Sequence, residues 1–249
     1  MKNYLSIFIL LSLSFSVSAQ GLKGIIKNAS KKDSAGKVNM GSVFNAQKNS
    51  LSNDEIIKGL KEALEVGAER STSKLSGVDG FFKDAAIKIL MPAEAQKVEQ
   101  KLRAMGMNKQ VDNAILSMNR AAEDAAKDAV PIFINAIKGM SFQDAIGILK
   151  GGDYAATGYL KGKTTNALTE AFRPVIETSL QKVNATKYWN TVFTTYNKFS
   201  TEKVETDLLA YVTEKALTGI FLQLGQEEQK IRKDPMARTS DVLKKVFSK

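Results

Sequence analysis

Histidine and cysteine are both absent from the 249 residues, and this removes more chemistry than any motif present supplies. Without them there is no Ser-His-Asp or Cys-His catalysis and no typical zinc or haem site. No disulfide can form, so stability has to come from packing. Carboxylates, lysines, tyrosines and hydroxyls remain as acids, bases and nucleophiles, a set that leaves catalysis open and favours a non-enzymatic role. No cofactor and no metal are implied. Proline occurs four times and tryptophan once. No run alternates with period two for long enough to define a strand.

What is present begins with an export pattern. Lys2 supplies a positive n-region, Tyr4 to Val17 is apolar except for serines, and Val17-Ser18-Ala19 offers small residues to a signal peptidase. Residues 1–19 are expected to be a signal peptide, cleaved after Ala19, and the protein to be periplasmic or secreted. At about 14 residues the apolar run is shorter than the roughly 20 that a spanning helix needs. No cysteine follows the cleavage point, which argues against a lipoprotein, and no later stretch suggests a transmembrane segment.

The net charge of +10 is unevenly spread. Residues 20–50 carry six lysines and one aspartate, and residues 229–249 carry seven Lys/Arg and two Asp. Between them, 22 basic residues meet 23 acidic ones. A nucleic-acid module spreads its cations over one face interleaved with aromatics. That pattern is missing, and no nucleic-acid partner is expected. Two basic ends suit solubility, or loose attraction to an anionic envelope surface.

Residues 20–50, rich in Gly, Lys, Asn and Ser, read as a flexible basic arm. Residues 51–249 read as one all-α, bundle-like multi-helix domain. Ser52-Asn53-Asp54-Glu55 fits a capping box, followed by Ile56, Ile57, Leu60, Ala63 and Leu64 at helical spacing. Gly77-Val78-Asp79-Gly80 is a turn, and Phe81-Phe82 opens a short apolar segment ending at Met91. Pro92 is expected to open a helix that Gly106 ends. Further helices are expected from Asn108 to Ala129, from Pro131 to Gly139, and from the Ser141–Asp144 cap to Gly151. A brief helix should follow Asp153, and a separate one should run from Thr164 to Leu180, kinked or split at Pro174. An aromatic helix carries Tyr188, Trp189, Val192, Phe193 and Tyr196. A long one spans Val204 to Ile231, and Thr239 or Ser240 caps a last short amphipathic turn. Phe82–Leu90 also echoes Phe142–Leu149, which raises the question of a duplicated unit.

Four residues stand out as candidate ligand-binding positions: Asn119, Arg120, Glu123 and Asp153. Asn119 follows Ile115 by four residues, which sets an amide against the buried face. Arg120 can reach Glu123 or Asp124 at helical spacings. The same residues also suit a network that fixes helix packing. Gly151 fits a left-handed C-cap and Asp153 an N-cap. Asp153 with Glu123 or Asp144 makes the alternative, a carboxylate pair. Gly158–Thr164 has one residue too few between its glycines for a phosphate loop. The aromatics around Trp189 read as core rather than as a sugar or lipid platform.

Several separated stretches then coincide with one family. Asp79-Gly80-Phe81, Met118–Glu123, Gly151-Gly152-Asp153 with Ala155-Ala156-Thr157, Phe172-Arg173-Pro174, Tyr211–Leu217, Ile231–Pro235 and Leu243–Phe247 occur in order. Over roughly residues 51–248 the chain resembles the bacterial domain-of-unknown-function family 4197. The resemblance implies an exported envelope protein with a single helical domain, and it transfers no catalytic residue. The expected function is a helical binding or scaffolding module for an envelope lipid, glycan or protein. The alternative is a carboxylate-dependent hydrolase acting on an envelope polymer. The sequence sets no oligomeric state.

Overall fold

The computed structural model describes residues 52–199 and 207–238, with Asp241 and Lys244 beyond them. The signal segment, the basic arm, Val204 and the Thr239/Ser240 cap with its apolar residues lie outside the described residues.

Helix α1 (Asn53–Ser76) starts where the sequence places it. Ser52 Oγ accepts from the Glu55 amide at 3.2 Å, and the Glu55 carboxylate accepts from the Ser52 amide at 2.8 Å. The reciprocal pair satisfies donors that a helix start otherwise leaves unpaired. Turns follow from Gly77, and then an extended stretch to Met91. Pro92 does not open an α-helix. It precedes a 3-10 turn (Ala93–Ala95), and α2 (Gln96–Ala104) begins after it.

Helix α3 (Asn108–Ala126) ends three residues earlier than expected. The next helix, α4 (Ala129–Lys138), starts before Pro131, because a proline in the first turn removes an amide that has no intrahelical acceptor. The second capping box, Ser141 with Asp144, starts α5 (Phe142–Lys150) as expected.

The expected break between Asp153 and Thr164 does not occur. Residues Ala155–Lys182 form one 28-residue helix, α6, which runs through Gly158, Gly162 and Pro174. Its buried residues are Ala156, Leu160, Thr164, Leu168, Phe172, Ile176 and Leu180, one every fourth position. Each step of four advances about 40° beyond a full turn, so the stripe winds roughly 240° around the helix. A winding stripe suits a helix with neighbours on several sides, and α6 packs against α3, α4, α5, α7 and α8. Burial along this stripe outweighs the local preferences of two glycines and a proline. Pro174 itself is exposed, as is Glu170, whose carbonyl loses its amide partner and can be hydrated.

Helix α7 (Ala185–Phe199) carries the aromatics, and α8 (Leu208–Lys233) is capped by Asp207. The long helices α1, α3, α6 and α8 make the core, with α8 packed on α1, α3 and α6. Phe81, Phe133, Phe172 and Ile176 are fully buried there. Ala121, Ala122, Ala125 and Ala126 are also fully buried and let neighbours approach α3 closely. All described residues are helical, turn or irregular, and the fold is all-α. No described helix is long and apolar enough to cross a membrane.

The two echoing segments differ in conformation. Residues 142–150 are helical, whereas 82–90 are turns and extended chain. The Gly158–Thr164 stretch lies within α6.

Two glycines separate steric need from convenience. A Cβ on Gly80 meets the carbonyl oxygens of Lys74 and Leu75 at 2.4 and 2.5 Å, whereas one on Gly158, inside α6 and exposed, meets nothing within 4 Å. Gly80→Ala should therefore lower stability by about 2 kcal/mol or more. Gly158→Ala should raise it by about 0.5–1 kcal/mol through helix propensity alone. Urea midpoints of the two variants test both signs.

Candidate functional site

Three of the four candidate residues meet at one place. Helix α3 carries Val111, Ile115, Asn119 and Glu123 at four-residue spacing, all buried, so an amide and a carboxylate occupy core positions. Neither is left unpaired. Asn119 Oδ1 accepts from the Ile89 amide at 2.9 Å, while Nδ2 donates to the Ile89 carbonyl at 2.8 Å and to the Ile115 carbonyl. The side chain treats Ile89 as a neighbouring strand would. Glu123 Oε1 accepts from the amides of Phe81 and Phe82 at 3.1 and 3.2 Å. Its Oε2 takes Arg120 Nη1, and Arg120 Nη2 reaches Asp79 Oδ1 at 2.7 Å.

The cluster therefore fastens residues 79–89 to α3. Asp79 has a left-handed φ of 69°, a conformation that few side chains tolerate and that Asp and Asn tolerate best. Hydrogen bonds from Lys83 and from Arg120 hold its carboxyl below the ordinary value, and Glu123 with Asp79 raises Arg120. On the same segment, Lys74 lowers Asp84.

A second arrangement repeats the first on α8. Leu208, Val212, Ala216, Ile220, Leu224 and Glu228 are buried at four-residue spacing. Glu228 Oε1 accepts from the Ala156 amide at 3.0 Å, and Oε2 accepts from the Thr157 amide and hydroxyl at 2.8 Å. Arg232 Nε supports Oε1, and Arg232 Nη2 donates to the Ile148 carbonyl in the last turn of α5. In both cases a buried carboxylate receives two successive amides from a distant segment, with an arginine three or four residues along its own helix.

Asp153 is not part of either carboxylate arrangement. Its side chain is 60% exposed and pairs with Lys233 at 3.0 Å, which lowers its pKa. It does not cap the helix that follows. The N-cap position of α6 is Tyr154, and Glu228 supplies the acceptor from across the structure. Gly151 has φ −75° rather than a left-handed value. Its lack of a side chain serves close packing instead, since a Cβ there meets Ala155 Cβ at 2.5 Å. Asp144 is engaged by Ser141, whose hydroxyl and amide lower its pKa.

The largest concavity is elsewhere. A cavity of about 650 Å³ lies among the extended segment, α2, α3, α7 and the start of α8, with Met91, Val98, Leu102, Met118, Trp189 and Phe193 in its walls. Met118 precedes Asn119, and Met91 follows the stretch that Asn119 fastens, so the polar cluster fixes one wall. Trp189 and Phe193 are buried with ring centroids 4.2 Å apart. Tyr188, Val192 and Tyr196 have side chains outside the described set.

Sequence reading found Asn119, Arg120 and Glu123 but missed Glu228, Arg232 and the cavity. Glu228 had a signal: it continues the apolar spacing that ends at Leu224, a register where a charge demands partners. The cavity had none, because its walls come from five separate segments.

The carboxylates with lowered pKa have a predictable linkage. A folded pKa below the unfolded value of 3.8 stabilises the folded state above that value, and the gain is lost as pH falls through the folded one. Asp79→Asn keeps a residue suited to φ 69° but removes the charge. Its stability deficit relative to the parent chain should be constant from pH 7 to about 5 and shrink below about pH 4. Urea titrations at stepped pH check this, and a deficit independent of pH contradicts it.

Comparison with curated proteins and with solved structures returns no match. A family model described as "Protein of unknown function (DUF4197)" matches residues 50–248. That span takes in both carboxylate arrangements and the cavity, and the chain belongs to this family.

Proposed function

We propose that the chain is an exported, non-enzymatic helical binding module of the bacterial envelope, and that the cavity among α2, α3 and α7 receives an apolar envelope component, a lipid. The observation that carries this reading is the cavity itself. Ligand sites typically enclose about 300–1,000 Å³ with mainly apolar walls and a few polar groups, and this one is about 650 Å³. The buried carboxylates Glu123 and Glu228 support the reading from the other side. Both are saturated by backbone amides and arginine, as structural groups are. Asp153, Glu123 and Asp144 serve three different sets of partners, and none of them lines the cavity. Export rests on the Lys2–Ala19 pattern.

The full chain, freed of lipid, should enhance the fluorescence of N-phenyl-1-naphthylamine, a small apolar probe. Ala114 lines the cavity and is only partly buried. Ala114→Phe should weaken probe binding at least tenfold while leaving the urea midpoint within about 0.5 kcal/mol. No enhancement by the parent chain contradicts the reading. Intact mass of the chain from an envelope fraction should correspond to a first residue of Gln20, and a cytosolic product retaining Met1 contradicts export.

A further inference from the structure

One atom of the cavity is out of keeping with its walls. Trp189 is 5% exposed, and its Nε1 has no hydrogen-bond partner among the described residues. An indole N–H only donates, and buried donors are paired in the great majority of cases. A buried, unpartnered donor in the wall of a cavity marks a place for an acceptor on whatever fills it. Thr72 Oγ1 is also unpaired but does not line the cavity.

The charges around the cavity narrow the class of acceptor. No lysine or arginine is among its described lining residues. The one ionisable group there is Glu99, whose Oε1 accepts from Arg103 Nε at 2.9 Å. A carboxylate or phosphate head would be buried beside a like charge with no cation lining the wall, which is strongly unfavourable. A neutral carbonyl meets no such opposition. Met91, Met107 and Met118 add adjustable, polarizable walls suited to a flexible hydrocarbon chain.

Resting on the cavity being the binding place, we propose that its ligand is a neutral lipid bearing an ester or ketone carbonyl. The carbonyl oxygen accepts from Trp189 Nε1, and the hydrocarbon lies among Met91, Val98, Leu102 and Met118. Free fatty acids, ionised at neutral pH, are disfavoured.

Displacement of N-phenyl-1-naphthylamine from the full chain at pH 7.5, with methyl decanoate against sodium decanoate, tests the class. The ester should compete at least tenfold better. Trp189→Phe should weaken the ester about two- to tenfold more than it weakens the probe, which has no acceptor oxygen, in line with one hydrogen bond. Failure of the probe to bind the parent chain overturns the cavity reading, and this inference with it; the space is then filled by the chain itself or by a second copy. If the probe binds but decanoate competes as well as the ester, only the neutral-carbonyl inference falls. The same holds if Trp189→Phe weakens ester and probe equally.

Discussion

A carboxylate in a helix core is unfavourable until its oxygens are filled, and this molecule fills two of them with backbone. Glu123 and Glu228 each sit where the apolar spacing of a long helix calls for another Leu or Ala. Each takes two consecutive amides from a segment that cannot pair them internally. For Glu123 these belong to the turn after α1, and for Glu228 to the first turn of α6. A helix start leaves its first amides unpaired and carries a partial positive charge. The second arrangement therefore satisfies hydrogen bonding and electrostatics together. Removing either carboxylate leaves two amides unpaired, a loss on the order of 3 kcal/mol.

These two attachments give the apolar packing its register. With α8 fastened to the start of α6 and α3 fastened to residues 79–89, the winding stripe of α6 meets each neighbour at a fixed height. The consequence for function is spatial. Asn119 grips Ile89, and the Tyr211 hydroxyl donates to the Leu90 carbonyl at 2.8 Å. Met91 is thereby set against α2 and α3, where it forms part of the cavity wall. Polar groups that bind nothing external thus shape an apolar space that can.

Much of the helical pattern was legible because it is local. The two Ser-x-x-acid starts occur as read, and the apolar spacing of α1, α3 and α8 marks their buried faces. The failures have a common cause. Gly158, Gly162 and Pro174 suggest breaks when weighed one by one, yet burial at every fourth position from Ala156 to Leu180 carries α6 through all three. Gly151 and Asp153 look like a pair of caps, but the acceptor for α6 comes from Glu228, 72 residues from Ala156. The polar cluster on α3 was found because its members are close in sequence. The cavity was not, since Met91, Leu102, Met118 and Trp189 are assembled only by the fold.

The stretches that carry the family resemblance take on a physical meaning in this light. Asp79-Gly80-Phe81 and Met118–Glu123 are the two sides of the first attachment. Ala155-Ala156-Thr157 and the Ile231–Pro235 stretch, through Arg232, belong to the second. Amide hydrogen exchange on Glu123→Ala tests this claim most directly. The amides of Phe81 and Phe82 should lose at least tenfold in protection while those of Ala156 and Thr157 keep theirs, since each carboxylate holds its own segment. Unchanged protection at Phe81 and Phe82, or an equal loss at all four amides, would contradict the account.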